Sequence, residues 1–278
     1  LPHEGMDDLA AMGRIHSAAG TAASAHVGSV TSQGDAAQSS DLARANFGVD
    51  GTGITVGVLS DSFNSLGGYT TDITTGDLPN DVTILADISG GSDEGRAMAQ
   101  LVYDVAPGAA LAFHTAFGGL ADFANGIVEL ATIAGASVIV DDVGYLTAPM
   151  FQDGIVAQAV DMVVDMGVSY FSSAGNAARE SYESVYRNSG IDLGPDGTGD
   201  TAFRFIAHDF DPGPGVDIFQ TVTFFGSRLS FQWDDPFFSV SGGAGSATDM
   251  DIAIFDMSGN LINYAFDGNI GGDAVEII

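Results

Sequence analysis

The apolar positions of this chain keep two different rhythms. Up to about residue 190, short β-branched runs alternate with stretches of helical spacing. Gly53-Ile-Thr-Val-Gly-Val-Leu-Ser60, Val82–Ala86, Ala109–His114, Ser137–Val140 and Val168–Ser172 predict buried strands, each bounded by turn residues. Met98, Leu101, Val102 and Val105 share one face, which predicts a helix over Asp93–Val105. Further helices are predicted over Asp41–Phe47, Ala121–Ala134 and Gln152–Met166, and Thr70–Pro79 is expected to be a loop. Strands alternating with helices of this length are the mark of a parallel sheet covered on both faces, an α/β fold.

After about residue 200 the period shortens to two. Phe203–Ile206, Phe219–Phe225, Leu229–Trp233, Met250–Asp256 and Leu261–Ala265 alternate apolar and polar residues, with Ser258-Gly-Asn260 as a hairpin turn. This region, 201–278, is expected to form an antiparallel β-sandwich. Asp273–Ile278 reads as a strand in progress, so the sandwich is expected to be a partial one completed by a further strand. Residues 41–200 are the expected α/β scaffold. Residues 1–40, rich in Ala, Ser and Gly, are expected to be an arm with one helix over Met6–Ala19.

Charge narrows the partners. Of 278 residues, 37 are acidic and 7 basic, a formal net charge of -30. Such a surface repels phosphate backbones and anionic membranes, so neither nucleic acid nor a lipid surface is expected as a partner. The apolar runs are too short to span a bilayer. Cysteine is absent, which removes disulfides, thiol catalysis and thiolate metal sites. The chain opens on Leu1, read as the result of removing a signal or propeptide, with a secreted or cell-surface location expected. His3, His16 and His26 lack metal-ligand spacing, while His114 and His208 lie on predicted strands as structural residues. Trp233, the sole tryptophan, is assigned to a core.

Two stretches carry candidate chemistry. The run from Gly53 stops at Ser60-Asp61, so a carboxylate stands at the carboxyl end of a strand, where α/β sheets collect ligands. Taken alone, Asp61 reads equally as a turn residue or cap. Ser172-Ser-Ala-Gly-Asn176 follows another strand directly, and its glycine lets the Asn176 amide project as a neutral donor toward a developing oxyanion.

Together these stretches resemble the subtilisin-like serine proteases, over about residues 41–190. Val56–Asp61 looks like that family's aspartate motif and Ser172–Asn176 like its oxyanion asparagine motif. Glu94-Gly-Arg-Ala-Met-Ala99 stands where the family begins its histidine helix, and Val105-Ala-Pro-Gly-Ala109 matches the segment at the end of that helix. The segment 201–278 is similar to sandwich modules of secreted bacterial members. The resemblance implies a serine endopeptidase with Glu94 as base, Asp61 as its orienting partner and Asn176 as oxyanion donor. Glutamate in the histidine position is similar to the acid-acting sedolisins, but Met98 replaces their second acidic residue and Asn176 their oxyanion aspartate. Two carboxylates close together would share a proton and favour activity below neutrality.

The family's Gly-Thr-Ser nucleophile stretch does not occur between Leu1 and Ile278, and Ser241–Thr248 reads as a loop. The serine is therefore expected outside this chain, on a C-terminal fragment. The rival expectation is a non-catalytic surface, matrix or assembly protein on the same scaffold. Val138-Ile-Val-Asp-Asp-Val-Gly144 corresponds to the strand bordering the family's substrate cleft, making Asp142 and Gly144 candidates for binding a polypeptide substrate, with a capping role for Asp142 equally open. No cofactor is required by this chemistry. Calcium remains a candidate ligand of Asp192, Asp196 and Asp200, or of Asp249 and Asp251 with Asp267.

Overall fold

Gly51 and Gly53, with φ of 90° and 86°, turn the chain into its central strand in a conformation other residues rarely adopt. The computed structural model describes residues 33–177, 180–193, 205–222 and 228–278, with the backbone of Ala23–Ser24. The helix predicted over Met6–Ala19, the three N-terminal histidines, Asp196 and Asp200 lie outside the described residues.

In chain order the elements are β1 (Ala23–Ser24), α1 (Gly34–Ala37), α2 (Ser40–Phe47), β2 (Thr55–Ser60), α3 (Tyr69–Thr75), β3 (Thr83–Ala86) and α4 (Glu94–Val105). Next come β4 (Ala110–Thr115), α5 (Leu120–Thr132), β5 (Val138–Asp141), β6 (Gly144–Tyr145), α6 (Ile155–Asp165) and β7 (Ser169–Ser172). Then follow β8 (Asn188–Asp192), β9 (Ile206–His208), β10 (Ser230–Gln232), α7 (Phe238–Ser241), β11 (Ile252–Phe255), β12 (Leu261–Ala265) and β13 (Val275–Ile277). No described helix is long and apolar enough to cross a membrane.

The α/β expectation holds at the level of class. Five parallel strands form one sheet in the order β3-β4-β2-β5-β7. Alternation within each strand sends side chains to opposite faces. Val56, Val58, Leu111 and Phe113 pack with Ala99, Met98 and Val102 of α4 and with Phe63 from the turn after β2. On the other face, Leu59, Ala112 and Ile139 pack with Phe123, Ile127 and Leu130 of α5 and with Ala159 and Val163 of α6. Each fully buried Val, Leu, Ile or Phe among them stabilises the fold by about 1.5–3 kcal/mol over leaving it exposed.

The helices cross in an unusual pattern. The steps β3 to β4, β4 to β5 and β5 to β7 all advance across the sheet in one direction. Helices α5 and α6 lie on one face and α4 on the other, so the β3–α4–β4 crossing has the opposite hand to its two successors. Parallel crossovers share one hand in about 98% of cases. The exception here brings the start of α4 under the end of β2.

Three expectations are corrected. Thr70–Pro79 is not a plain loop: Tyr69–Thr75 is helical and ends on Gly76 at φ 87°. Its threonine-rich sequence has weak helix propensity, but the Tyr69 ring meets the Phe63 edge at 5.1 Å and Asp72 pairs with Arg96. Of Phe219–Phe225, the described residues up to Val222 form no strand. The Asp209 carboxylate accepts from the Asp211 and Asp217 amides, at 3.0 and 2.9 Å, and so closes a Pro- and Gly-rich loop just before it. The expected sandwich is also different: among the described residues the late strands form separate two-stranded antiparallel sheets, β8 with β9, β10 with β13, and β11 with β12.

The chain divides into two compact units, residues 1–176 with 229–278, and residues 177–228. Within the first, Ser230 Oγ donates to the Leu146 carbonyl at 2.7 Å and Gln232 Nε2 to that of Ala148 at 3.0 Å. These bonds fasten β10 to the segment after β6. Trp233 packs on Phe237 and Ala274, as a core residue should. In the second unit, His208 packs edge-on to Phe210 at 4.7 Å beside the β8–β9 ladder.

Gly95, buried in the first turn of α4, sits where a Cβ would overlap the Phe113 ring edge and crowd the Ser62 carbonyl. Gly95→Ala is expected to destabilise the fold by about 1–3 kcal/mol, the usual range for overpacking, despite alanine's better helix propensity. A chemical denaturation midpoint at or above wild type would contradict this packing.

Candidate functional site

The sheet's carboxyl ends define the candidate site. Ser60 of β2 is in register with Thr115 of β4, and Leu59 with Asp141 of β5, which is itself in register with Ser172 of β7. Beyond Ser60 the backbone leaves the ladder and stays buried through Phe63, so its amides there need other partners. Carboxylates provide them. Ser62 N–H donates to Asp61 Oδ1, Phe63 and Asn64 to the two oxygens of Asp87, both at 2.9 Å, and Ser65 and Leu66 to those of Asp93 at 2.6 and 3.1 Å.

Asp61 also caps the helix that carries Glu94. Its Oδ1 accepts from the Glu94 amide at 3.1 Å, and its Oδ2 from the Ser92 amide and hydroxyl at 2.5 and 2.6 Å. The first amides of a helix have no partner within it. The Asp93 N-cap, at φ 59°, makes no side-chain cap bond, so Asp61 supplies the anion at the positive end of α4 from a different element. Thr115 Oγ1 in turn holds the Asp61 carbonyl at 2.6 Å.

Asp61 and Glu94 are both 5% exposed. The hydrogen bond tying the two residues runs from the Glu94 backbone to Asp61. The Glu94 carboxyl accepts from Ser60 Oγ at 2.7 Å. A serine bonded to a carboxylate is the pairing of a nucleophile with its base, yet Ser60 is fully buried, so here the hydroxyl positions Glu94.

Beneath this cap lies an ion-pair network the sequence reading missed. Arg96 spans Asp72 at 2.5 Å and Asp93 at 3.0 Å, and its Nε donates to the Phe63 carbonyl at 3.0 Å. Burial opposes the charge of Asp93. The Arg96 guanidinium, with donors from Leu66, Ser62 and Ser65, overrides it and holds the carboxyl below its usual 3.8. The available signal was scarcity: with only 7 basic residues, an arginine two positions after Glu94 warrants a buried partner.

The other half of the rim belongs to β5 and β7. Ser172 Oγ donates to Asp141 Oδ1 at 2.9 Å, Ser173 Oγ to Asp142 Oδ1 at 2.5 Å, and Ser173 N–H to the Asp141 carbonyl at 3.1 Å. These bonds fix the start of the segment leading to Asn176, which is exposed. Asn176 lies four residues beyond the end of β7, which is two positions from β2 in the sheet order. Asp141, buried, has its pKa raised by burial against the opposing hydroxyls of Tyr170 and Ser172 and the Val143 amide. The Tyr170 hydroxyl lies beside it without a hydrogen bond of normal geometry.

Gly144 is exposed and pairs through the backbone with Ser24 in the short β1–β6 ladder. Next to it a cavity of about 340 Å³ opens between α5 and α6, bordered by Leu120, Phe123, Tyr145, Val156, Tyr170 and Asp141. Of the calcium candidates, Asp192 closes β8 in the second unit, while Asp249 and Asp251 precede β11. No protein-family profile and no curated protein matches the chain.

Removing Arg96 leaves two buried carboxylates unpaired. Arg96→Leu is expected to cost about 3–5 kcal/mol of stability, read from denaturant unfolding. Because the folded pKa of Asp93 is depressed, its contribution is complete above the unfolded value of 3.8 and is lost as pH falls through the lower folded value. The stability gap between wild type and Asp93→Asn should accordingly shrink in acid. A gap that widens below about pH 4 contradicts the sign.

Proposed function

We propose that this chain belongs to a subtilisin-like serine endopeptidase of mixed Glu/Asp/Ser type. The nucleophilic serine is supplied from outside residues 1–278. Glu94 is the general base, Asp61 its orienting partner and Asn176 the oxyanion donor. In the acylation step the serine oxygen attacks the scissile carbonyl and its proton passes to Glu94, while the Asn176 amide donates to the oxyanion. Glu94 then returns the proton to the departing amine as the peptide C–N bond breaks. Asp142 would face the basic side chains of a polypeptide substrate, and Gly144, exposed two residues further on, would border the cleft. A secreted or cell-surface location suits the lysine-free acidic composition, and the chemistry requires no cofactor.

One observation carries this reading. Asp61, at the end of the central strand, is hydrogen-bonded to the start of the helix that bears Glu94. In full-length protein, Glu94→Gln is expected to lower kcat for peptide hydrolysis by about 100- to 10,000-fold. Asn176→Ala is expected to lower it by about 100- to 1,000-fold with little change in stability. A fluorophosphonate probe should label one serine outside residues 1–278, and activity should peak below neutrality. Absence of labelling and hydrolysis, or a maximum at about pH 8 or above, overturns the assignment.

A second reading has its own support. The oxygens of Asp61 are occupied by amide and hydroxyl donors from Ser62, Ser92 and Glu94, a complete structural role without catalysis. On that reading the protein is a non-catalytic extracellular surface, matrix or assembly protein. Asp61→Asn and Glu94→Gln would then lower stability in a chain that hydrolyses no peptide.

A further inference from the structure

In a separate two-stranded sheet, β13 buries an acid that the protein leaves half-satisfied. Glu276 is 1% exposed; its Oε1 accepts from the Asp267 amide at 3.1 Å, while the buried Oε2 has no hydrogen-bond partner. Asn269, 6% exposed, presents a second such oxygen. Its Nδ2 donates to the carbonyls of Asp273 and Val275 at 3.0 and 3.2 Å, which fixes the amide orientation and leaves the buried Oδ1 without a partner. The Asn269 backbone amide reaches Asp249 Oδ1 at 2.9 Å, so this residue stands at the edge of the acidic group.

Three further carboxylates gather there. Asp249 and Asp251 lead into β11 and Asp267 follows β12, and the pairing of Ile252 with Ala265 puts them together at the open end of that hairpin. Among the described residues none of the four acids takes part in an ion pair. Asp267, Asp251 and Asp249 lie close enough to Glu276 to repel its charge, as Asp249 and Asp267 do that of Asp251. Leaving a buried carboxylate oxygen unpaired is costly, and a cation removes both the repulsion and the unmet acceptors.

We propose that Asp249, Asp251, Asp267 and Glu276, with the side-chain carbonyl of Asn269, form a calcium site that pins the β11–β12 hairpin to β13. All the donors are oxygen, the hard set that suits calcium, and neither imidazole nor thiolate is present to favour a transition metal. Calcium accepts six to eight oxygens in irregular geometry, whereas magnesium demands a near-ideal octahedron. Among the described residues no three acidic or imidazole side chains already surround one point. Binding therefore draws the Asp249 and Asp251 side chains, at the open mouth of the hairpin, toward the fixed Glu276. The inference is independent of the chemistry assigned to Asp61 and Glu94.

Trp233 provides the readout, since it packs on Ala274 with Val275 and Met250 against it, neighbours in sequence of Glu276, Asp249 and Asp251. Chelator-treated full-length protein is titrated with terbium(III) while Trp233 is excited, and then with calcium. The expected result is tryptophan-sensitised terbium emission saturating at one ion per chain, displaced by calcium, with calcium raising Tm. Glu276→Gln, which relieves repulsion and keeps the side-chain shape, should weaken calcium binding at least about 10-fold. Asp251→Asn should do the same, and Asp153→Asn, outside the cluster, should not. Absent sensitised emission, an unchanged Tm, or equal affinities across wild type, Glu276→Gln and Asp251→Asn would overturn the site.

Discussion

Five consecutive amides, from Ser62 to Leu66, donate to oxygens of just three carboxylates, and the candidate site exists because they do. A chain leaving a buried parallel strand has lost its ladder partners before it reaches water. An orphaned amide there costs about 1–3 kcal/mol. Asp87 and Asp93 approach from sequence positions more than twenty residues away, and Asp61 immediately succeeds the strand's last residue. The turn, the start of α4 and the loop between them are thus one hydrogen-bonded body. Neutralising any of the three acids would loosen all of it.

That arrangement changes the meaning of the charge. A net charge of -30 reads from sequence as a solvated coat around the fold. The structure gives many of these acids work with the backbone instead. Asp235 collects the amides of Ala247 and Thr248 at 3.0 and 2.7 Å, and Asp256 those of Ser258 and Asn260 at 2.8 Å each. Short aspartates are well made for this, since their carboxyl lies close enough to the main chain to close a turn. In a glycine-rich sequence with many tight turns, acidity is partly a turn-making device. The self-repulsion it brings is the cost, and the crowding around Glu276 is one place where it falls.

Periodicity made the parallel sheet legible because burial on both faces leaves β-branched runs that nothing else explains, as at Val56–Leu59. The face of α4 was legible for the same reason, through Met98 and Val102. What escaped was non-local. The helical turn at Tyr69–Thr75 depends on Arg96 reaching Asp72 across 24 positions, and no local propensity announces it. In the site, Asp61 could be read because a strand visibly stops there. Ser60 could not, since a serine within a buried run looks like filler until Glu94 arrives beneath it.

The unusual hand of the β3–α4–β4 crossing is what makes that arrival possible. Had α4 crossed on the same face as α5 and α6, its first turn would lie on the side of Leu59 and Asp141. Lying opposite, it meets Ser60, whose side chain points to that face along with Val56 and Val58. The two acids are then held in different ways. Asp61 is gripped largely by backbone amides, which cannot turn away, and so serves as a fixed anion. Glu94 is met by a hydroxyl, which can rotate to donate or accept. The Ser60 to Glu94 bond can therefore reorganise when a proton moves, and it sits on the residue to which the base role is assigned.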